Sequence, residues 1–142
     1  MRASGNLQWG DDYPNPTVFA DDITKQQLWV AVLENEIAGV TAITTDQDPE
    51  YADAGWDITE TAIVTHRLAV DPDRQGLGIA RKLMDQAELV AKAREIKILR
   101  VDTNSENKAT QALFPKLGYT FSGEIRLAKR PGLRFFCYQK LL

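Results

Sequence analysis

V-T-H-R-L-A-V-D-P-D-R-Q-G-L-G-I-A-R-K, residues 64–82, is the stretch from which the fold can be read. Residues 62–70 are a nearly unbroken apolar, β-branched run, which predicts a strand buried on both faces. Asp71-Pro72-Asp73 ends it, because proline lacks the donor that a ladder needs. Beyond the loop, Ile79, Ala80, Leu83, Met84, Ala87, Val90 and Ala91 recur at helical spacing. A strand that feeds a helix through a short glycine loop presents unpaired N–H groups at the positive end of the helix dipole, which suits an anion. Gly76 and Gly78 carry no Cβ, so a phosphate can approach their backbone, and Arg74 places positive charge beside the loop. Taken alone, a Gly-x-Gly loop is also an ordinary strand-to-helix turn.

The rest of the composition narrows the class. A chain of 142 residues has the length of one domain, spanning 1–142, with enough residues for a sizeable core. Its net charge of −3 argues against nucleic acid as the main partner. A single cysteine, Cys137, excludes an intrachain disulfide and fits a reducing compartment. No apolar run approaches the roughly 20 residues of a membrane span, and the N-terminal M-R-A-S-G-N lacks the apolar core of a signal peptide. These features predict a soluble, cytoplasmic protein with no membrane partner.

Outward from the glycine loop, the pattern predicts a short helix over 17–25, a strand over 27–33, a turn at 34–36 and a strand over 37–45. Residues 46–61 read as a long acidic loop, of a length that is often functional. After the central strand and helix come a strand over 97–102 and a helix over 107–114, strained at its end by Pro115 and terminated at Gly118. Strands over 119–127 and 133–141 follow, joined by the turn at 129–132. Hairpins at both ends and helical crossovers between them imply an α/β (α+β) fold, with a mixed, largely antiparallel central sheet flanked by helices.

The string Q-G-L-G-I-A at 75–80 resembles the Q/R-x-x-G-x-G/A signature of the GNAT superfamily of N-acyltransferases, with Leu68-Ala69-Val70 the usual few residues ahead. A second block, N-K-A-T-Q-A-L-F-P-K-L-G-Y at 107–119, is similar to the family's N-x-x-A-x-x-L-Y-x-x-L-G-F. Thr110 stands for the alanine, Phe114 for the tyrosine and Tyr119 for the phenylalanine. Neither a Walker loop nor a Rossmann fingerprint matches as well. The resemblance covers roughly residues 9–142. The family usually begins with one more strand and helix, so the first strand and helix are expected to be missing here. Residues 1–10 or a second subunit would then cover the open sheet edge, which makes a homodimer possible.

The resemblance implies acetyl-CoA as co-substrate, no metal, and transfer of acetyl to a primary amine of a small molecule or peptide. The diphosphate would lie on the amides of Gly76, Leu77, Gly78, Ile79 and Ala80, beside Arg74 and Gln75. The pantetheine arm would pair with Leu68, Ala69 and Val70, and the backbone N–H of Val70 or a neighbour would receive the developing oxyanion. Asn107 and Phe114 would flank the cofactor. Three groups stand as general base: His66, the lone histidine, with the right intrinsic pKa; Asp102, five residues before Asn107; and Glu34. Since Phe114 cannot donate a proton, Tyr119, Tyr138 or water would serve as acid, or the thiolate would leave unassisted. Trp9, Tyr13, Tyr51 and Trp56 read as pocket or core aromatics, Cys137 as a packed strand residue, and the acidic 46–61 segment as favouring a cationic acceptor. A non-catalytic acyl-CoA-binding module and a nucleotide-phosphate binder are the competing readings.

Overall fold

The computed structural model describes residues 16–142. Six strands form one sheet: β1 (Leu28–Leu33), β2 (Glu36–Thr44), β3 (Ile63–Val70), β4 (Ile98–Asn104), β5 (Thr120–Ile125) and β6 (Phe135–Leu141), in the order β1-β2-β3-β4-β6-β5. Every pairing is antiparallel except β3 with β4. Among the described residues three α-helices, α1 (Pro16–Thr24), α2 (Ile79–Ala93) and α3 (Lys108–Lys116), flank it in an α/β architecture. The parallel β3–α2–β4 crossover follows from the apolar run at 62–70 and the helical stripe that comes after it. Expectations for Trp9, Tyr13 and the edge cover at residues 1–10 lie outside the described residues.

Side-chain alternation divides the sheet's two faces. On one face Ile63, Leu99, Val101 and Tyr138 pack under Met84, Ala87 and Ala91 of α2 and Phe114 of α3. On the other, Val64, Phe135 and Cys137 pack against Tyr51 and Trp56. Both aromatics come from the segment expected to be a loop. Part of it, Pro49–Ala54, is a 3-10 turn, because Pro49 starts it and Tyr51 buries its ring completely, edge-on to Trp56. The acidic residues of this segment are mostly engaged within the fold. Glu60 and the Asp57 carbonyl bind Arg100, Asp48 pairs with Lys129, and Glu50 accepts the Ala128 amide.

Arg100 is the centre of that packing. At 2% exposure it donates to Gln139, Gln47, the Asp57 carbonyl and Glu60 at 2.7–3.0 Å and lies over the Trp56 ring. A buried guanidinium is tolerated only when its donors are satisfied in this way, and here they clamp residues 47–60 to β4 and β6.

Two local departures position the site. β3 is buried on both faces only at 63–65, and residues 66–70 are half-buried. The cause is that β3 pairs with β4 only from Ile63 to Thr65. At Arg67 the chain turns left-handed (φ +56°) in a bulge, while Thr41 donates to the His66 carbonyl at 2.9 Å and Asp22 of α1 binds Arg67 bidentately at 2.6 and 2.7 Å. Such a backbone costs a non-glycine residue about 1–3 kcal/mol, so it persists because these bonds hold it. Past the bulge β3 and β4 separate and leave a gap in the sheet.

The second departure is at the end of α3. Pro115 sits inside the helix, which runs on to Lys116. Gly118 (φ +94°) then closes it: the Gly118 amide donates to Pro115 and the Tyr119 amide to Phe114. This Schellman arrangement brings Tyr119 back onto the Phe114 ring, at 5.9 Å between centroids.

Close packing also fixes the start of α2. A Cβ on Gly39 of β2 would stand 2.8 Å from Ile79 Cγ2 and 3.1 Å from the Ala69 carbonyl. Gly39→Ala is therefore expected to destabilise the protein by roughly 1–3 kcal/mol, read from the urea midpoint at unchanged m-value. An unchanged midpoint would mean that α2 is not seated against β2 as described.

Candidate active site

The glycine loop and the gap in the sheet form two adjoining cavities, which share Leu68 and Thr110 in their lining. The larger is a groove of about 490 Å³ lined by Leu68 to Val70, Arg74 to Gly76, Gly78 to Arg81 and the first turns of α3 from Glu106 to Thr110, with Leu113. At its floor the Gly76 and Gly78 backbones are left-handed (φ +83° and +77°), and a Cβ at either would meet nothing within 4 Å. Among the described residues no backbone carbonyl takes the amides of Gln75, Gly76, Leu77 or Gly78. The first-turn amides of α2 add to them. Leu77's side chain is directed to solvent at 59% exposure, so it does not fill the loop. Arg74 lines the groove, but its guanidinium is tied to Glu36 at 2.9 Å and to the Leu33 carbonyl at 3.3 Å. It anchors the loop to the β1–β2 turn as well as adding charge.

Along the groove wall, β3 offers backbone groups. The Asp71 amide bonds the Ala38 carbonyl. By antiparallel alternation, Val70 opposite Gly39 is a non-bonded position, so its N–H and C=O point away from β2 into the gap. That is what a strand-like ligand arm needs.

The second cavity is narrow, about 30 Å³, and crosses the sheet through the gap. Thr65, His66, Arg67 and Leu68 of β3 line one side, and Val101, Asp102 and Thr103 of β4 the other, with Phe114 between them and Asp48, Lys129 and Arg130 at the outer mouth. His66 and Asp102 share the face that carries Tyr51 and Trp56. His66 Nε2–H donates to the Asp46 carbonyl at 2.8 Å, which leaves Nδ1 as the lone-pair nitrogen. Burial pulls the imidazole below its ordinary pKa, so it is neutral near pH 7, although the nearby Asp102 opposes this shift. Asp102 accepts the Tyr51 hydroxyl at 2.7 Å. Burial raises its carboxyl, while the Tyr51 bond and His66 pull it back down.

The other proposed acids and bases are placed differently. Tyr119 lines neither cavity: it is 5% exposed in the core beneath α2, where burial raises its hydroxyl far above the usual range. The helix-ending turn at Gly118 puts it there. Tyr138 is likewise a core residue, edge-on to Phe114 at 5.4 Å. Glu34 is an exposed turn residue with positive φ. Cys137 is fully buried, and burial raises its thiol. Asn107 caps α3 by accepting the Thr110 amide, at the edge of the groove. Sequence reasoning missed the bond from Tyr51 to Asp102, 51 residues apart, and the Arg100 clamp. No spacing rule connects such pairs.

A model of the acetyltransferase (GNAT) family matches residues 4–119, and the chain belongs to that family. A 5-NmdU N-acetyltransferase from Pseudomonas phage PaMx11 is 24% identical over 126 residues, 87% of this chain and 80% of that protein. A GNAT-family acetyltransferase from Streptococcus agalactiae 2603 superposes with a TM-score of 0.80 at 26% identity, over 99% of this chain and 80% of that one. The fold is also that of a GNAT-family acetyltransferase from Elizabethkingia anophelis with acetyl-CoA bound, at a TM-score of 0.69, 19% identity and 92% and 85% coverage. Among the described residues no helix is long and apolar enough to cross a membrane.

Proposed function

We propose that this protein is an N-acetyltransferase that moves the acetyl group of acetyl-CoA to a primary amine. The observation that carries the reading is that the groove, with its open amides at the head of α2, adjoins the gap that holds His66 and Asp102, the two sharing Leu68 and Thr110 in their lining. In this reading the diphosphate rests on the amides of the glycine loop. The pantetheine arm runs along Leu68 to Val70 as an added strand, and the thioester reaches the gap from the α3 face. The amine enters from the face of Tyr51 and Trp56, where Asp102 attracts its ammonium form; His66 Nδ1 takes the ammonium proton and passes it to solvent, then takes the second N–H proton once the nitrogen has attacked. The nitrogen attacks the thioester carbon, the Val70 N–H receives the oxyanion, and the C–S bond breaks with its electron pair on sulfur. Support for an N-acyl product comes from the phage relative, named as an N-acetyltransferase. A bore of about 30 Å³ fits a slim, unbranched amine arm better than a crowded one.

The test is release of free thiol from acetyl-CoA with a panel of acceptors: alkyl amines, polyamines, aminomethyl-substituted heterocycles and peptides with free N-termini. At least one slim primary amine is expected to turn over, with its N-acetyl product identified by mass. Tight acetyl-CoA binding with no turnover on any acceptor would overturn the reading.

A further inference from the structure

Thr110 and Leu68 alone, among the described residues, line both the cofactor groove and the gap. Leu68 is apolar, so of these two residues Thr110 alone carries a polar side chain. It lies 2.6 Å from the Thr103 hydroxyl, itself buried on the α3 face of β4, and 3.2 Å from the Asn107 carbonyl. When Thr103 donates to Thr110 Oγ1, the Thr110 proton is held only by the long 3.2 Å bond to the Asn107 carbonyl, which a better acceptor can replace. Phe114, the other α3 residue in the gap, offers no donor, and Tyr119 and Tyr138 are held in the core. His66 and Asp102 act from the opposite face of the sheet. A thioester drawn through the gap therefore meets its base on one side, and its sulfur lies on the other.

We infer that Thr110 is a catalytic residue whose hydroxyl, supported by Thr103, donates a hydrogen bond to the thiolate as it leaves. This rests on the acetyl-CoA reading above. No proton transfer to sulfur is required: the amine proton goes to His66, the C–S electron pair stays on sulfur, and a thiol of pKa about 8.5 is a tolerable anion once it accepts one strong donor.

The consequence can be read without knowing the acceptor. A donor to the thiolate lowers the pKa of bound CoA, so CoA should bind more tightly as pH rises toward about 8.5 and level off above it. Other charges surround the position: His66, Arg67 and Asp102 in the gap, and Asp48, Lys129 and Arg130 at its outer mouth. On the groove side are Glu106 and Lys108 at the head of α3, and Arg74 and Arg81 by the glycine loop. Desulfo-CoA, titrated in parallel, subtracts their contribution.

The expected result is a wild-type protein whose CoA affinity, relative to desulfo-CoA, rises about tenfold between pH 7 and 9.5, a gain of about 1.4 kcal/mol. In Thr110→Val that rise should be lost, with acetyl-CoA affinity within twofold of wild type, while Thr110→Ser keeps it. Thr110→Ala answers the same question if Val disturbs α3. A Thr110→Val protein that retains the rise, or a wild type that lacks it while binding acetyl-CoA, overturns the role of Thr110. Failure of the wild type to bind acetyl-CoA at all would overturn the proposed function instead.

Discussion

Gly78→Trp is expected to weaken acetyl-CoA binding at least a hundredfold while leaving the protein folded. Position 78 is left-handed (φ +77°), so any L side chain there carries strain of about 1 kcal/mol. That cost is small beside the second effect. A Cβ at this position meets no protein atom within 4 Å, so an indole has room to occupy the loop where the diphosphate would lie, and ligand and side chain compete for one space. At a ligand concentration of 100 times the wild-type dissociation constant, binding adds about 2.7 kcal/mol of stability. For a protein of this size that raises the melting temperature by roughly 8 °C. A hundredfold weaker variant gains only about 0.4 kcal/mol at the same concentration, a rise of roughly 1 °C. A full-sized thermal shift in Gly78→Trp would place the cofactor elsewhere.

Removing His66, the proposed base, should cost the most in turnover. His66→Ala is expected to lower kcat by about 10²–10⁴, with acetyl-CoA affinity unchanged, because a positioned general base contributes on that order. The pH profile assigns the effect. The imidazole must be neutral to act, and burial lowers its pKa from 6.5. The acid limb of kcat/KM should therefore fall below pH 6.5 in the wild type and vanish in His66→Ala. The negative charge of Asp102 raises the His66 pKa, so Asp102→Asn should move the limb to still lower pH, besides weakening capture of a cationic amine. A His66→Ala enzyme that keeps both its rate and its acid limb would pass the role of base to Asp102 or to water.

The glycine loop was legible in the sequence because its chemistry is local. Two glycines, a proline stop and a helical stripe of apolar residues, all within 64–91, specify the strand, the left-handed turns and the helix N-terminus with little help from the rest of the chain. The hairpin at 34–36, the end of α3 at Gly118 and the mixed sheet were readable for the same reason. The site was legible only by halves. His66 and Asp102 stood out as residue types, but nothing in their spacing showed that both would face one gap, or that Tyr119 would not. Tyr119's place follows from how the turn at Gly118 folds back on Phe114.

By itself, then, the sequence determined the order of elements, the glycine turn at the head of α2 and the family resemblance, since each depends on contacts a few residues apart. Only the tertiary structure decided the opening of the sheet beyond Thr65, because it depends on the bulge that Thr41 and Asp22 hold at 66–67. It also decided that the acids of 46–61 are engaged by Arg100, Lys129 and the backbone of Ala128. The same holds for Thr110, whose hydroxyl stands where groove and gap meet. Burial, pairing and direction across the sheet belong to groups brought together from distant parts of the chain, and no local pattern encodes them.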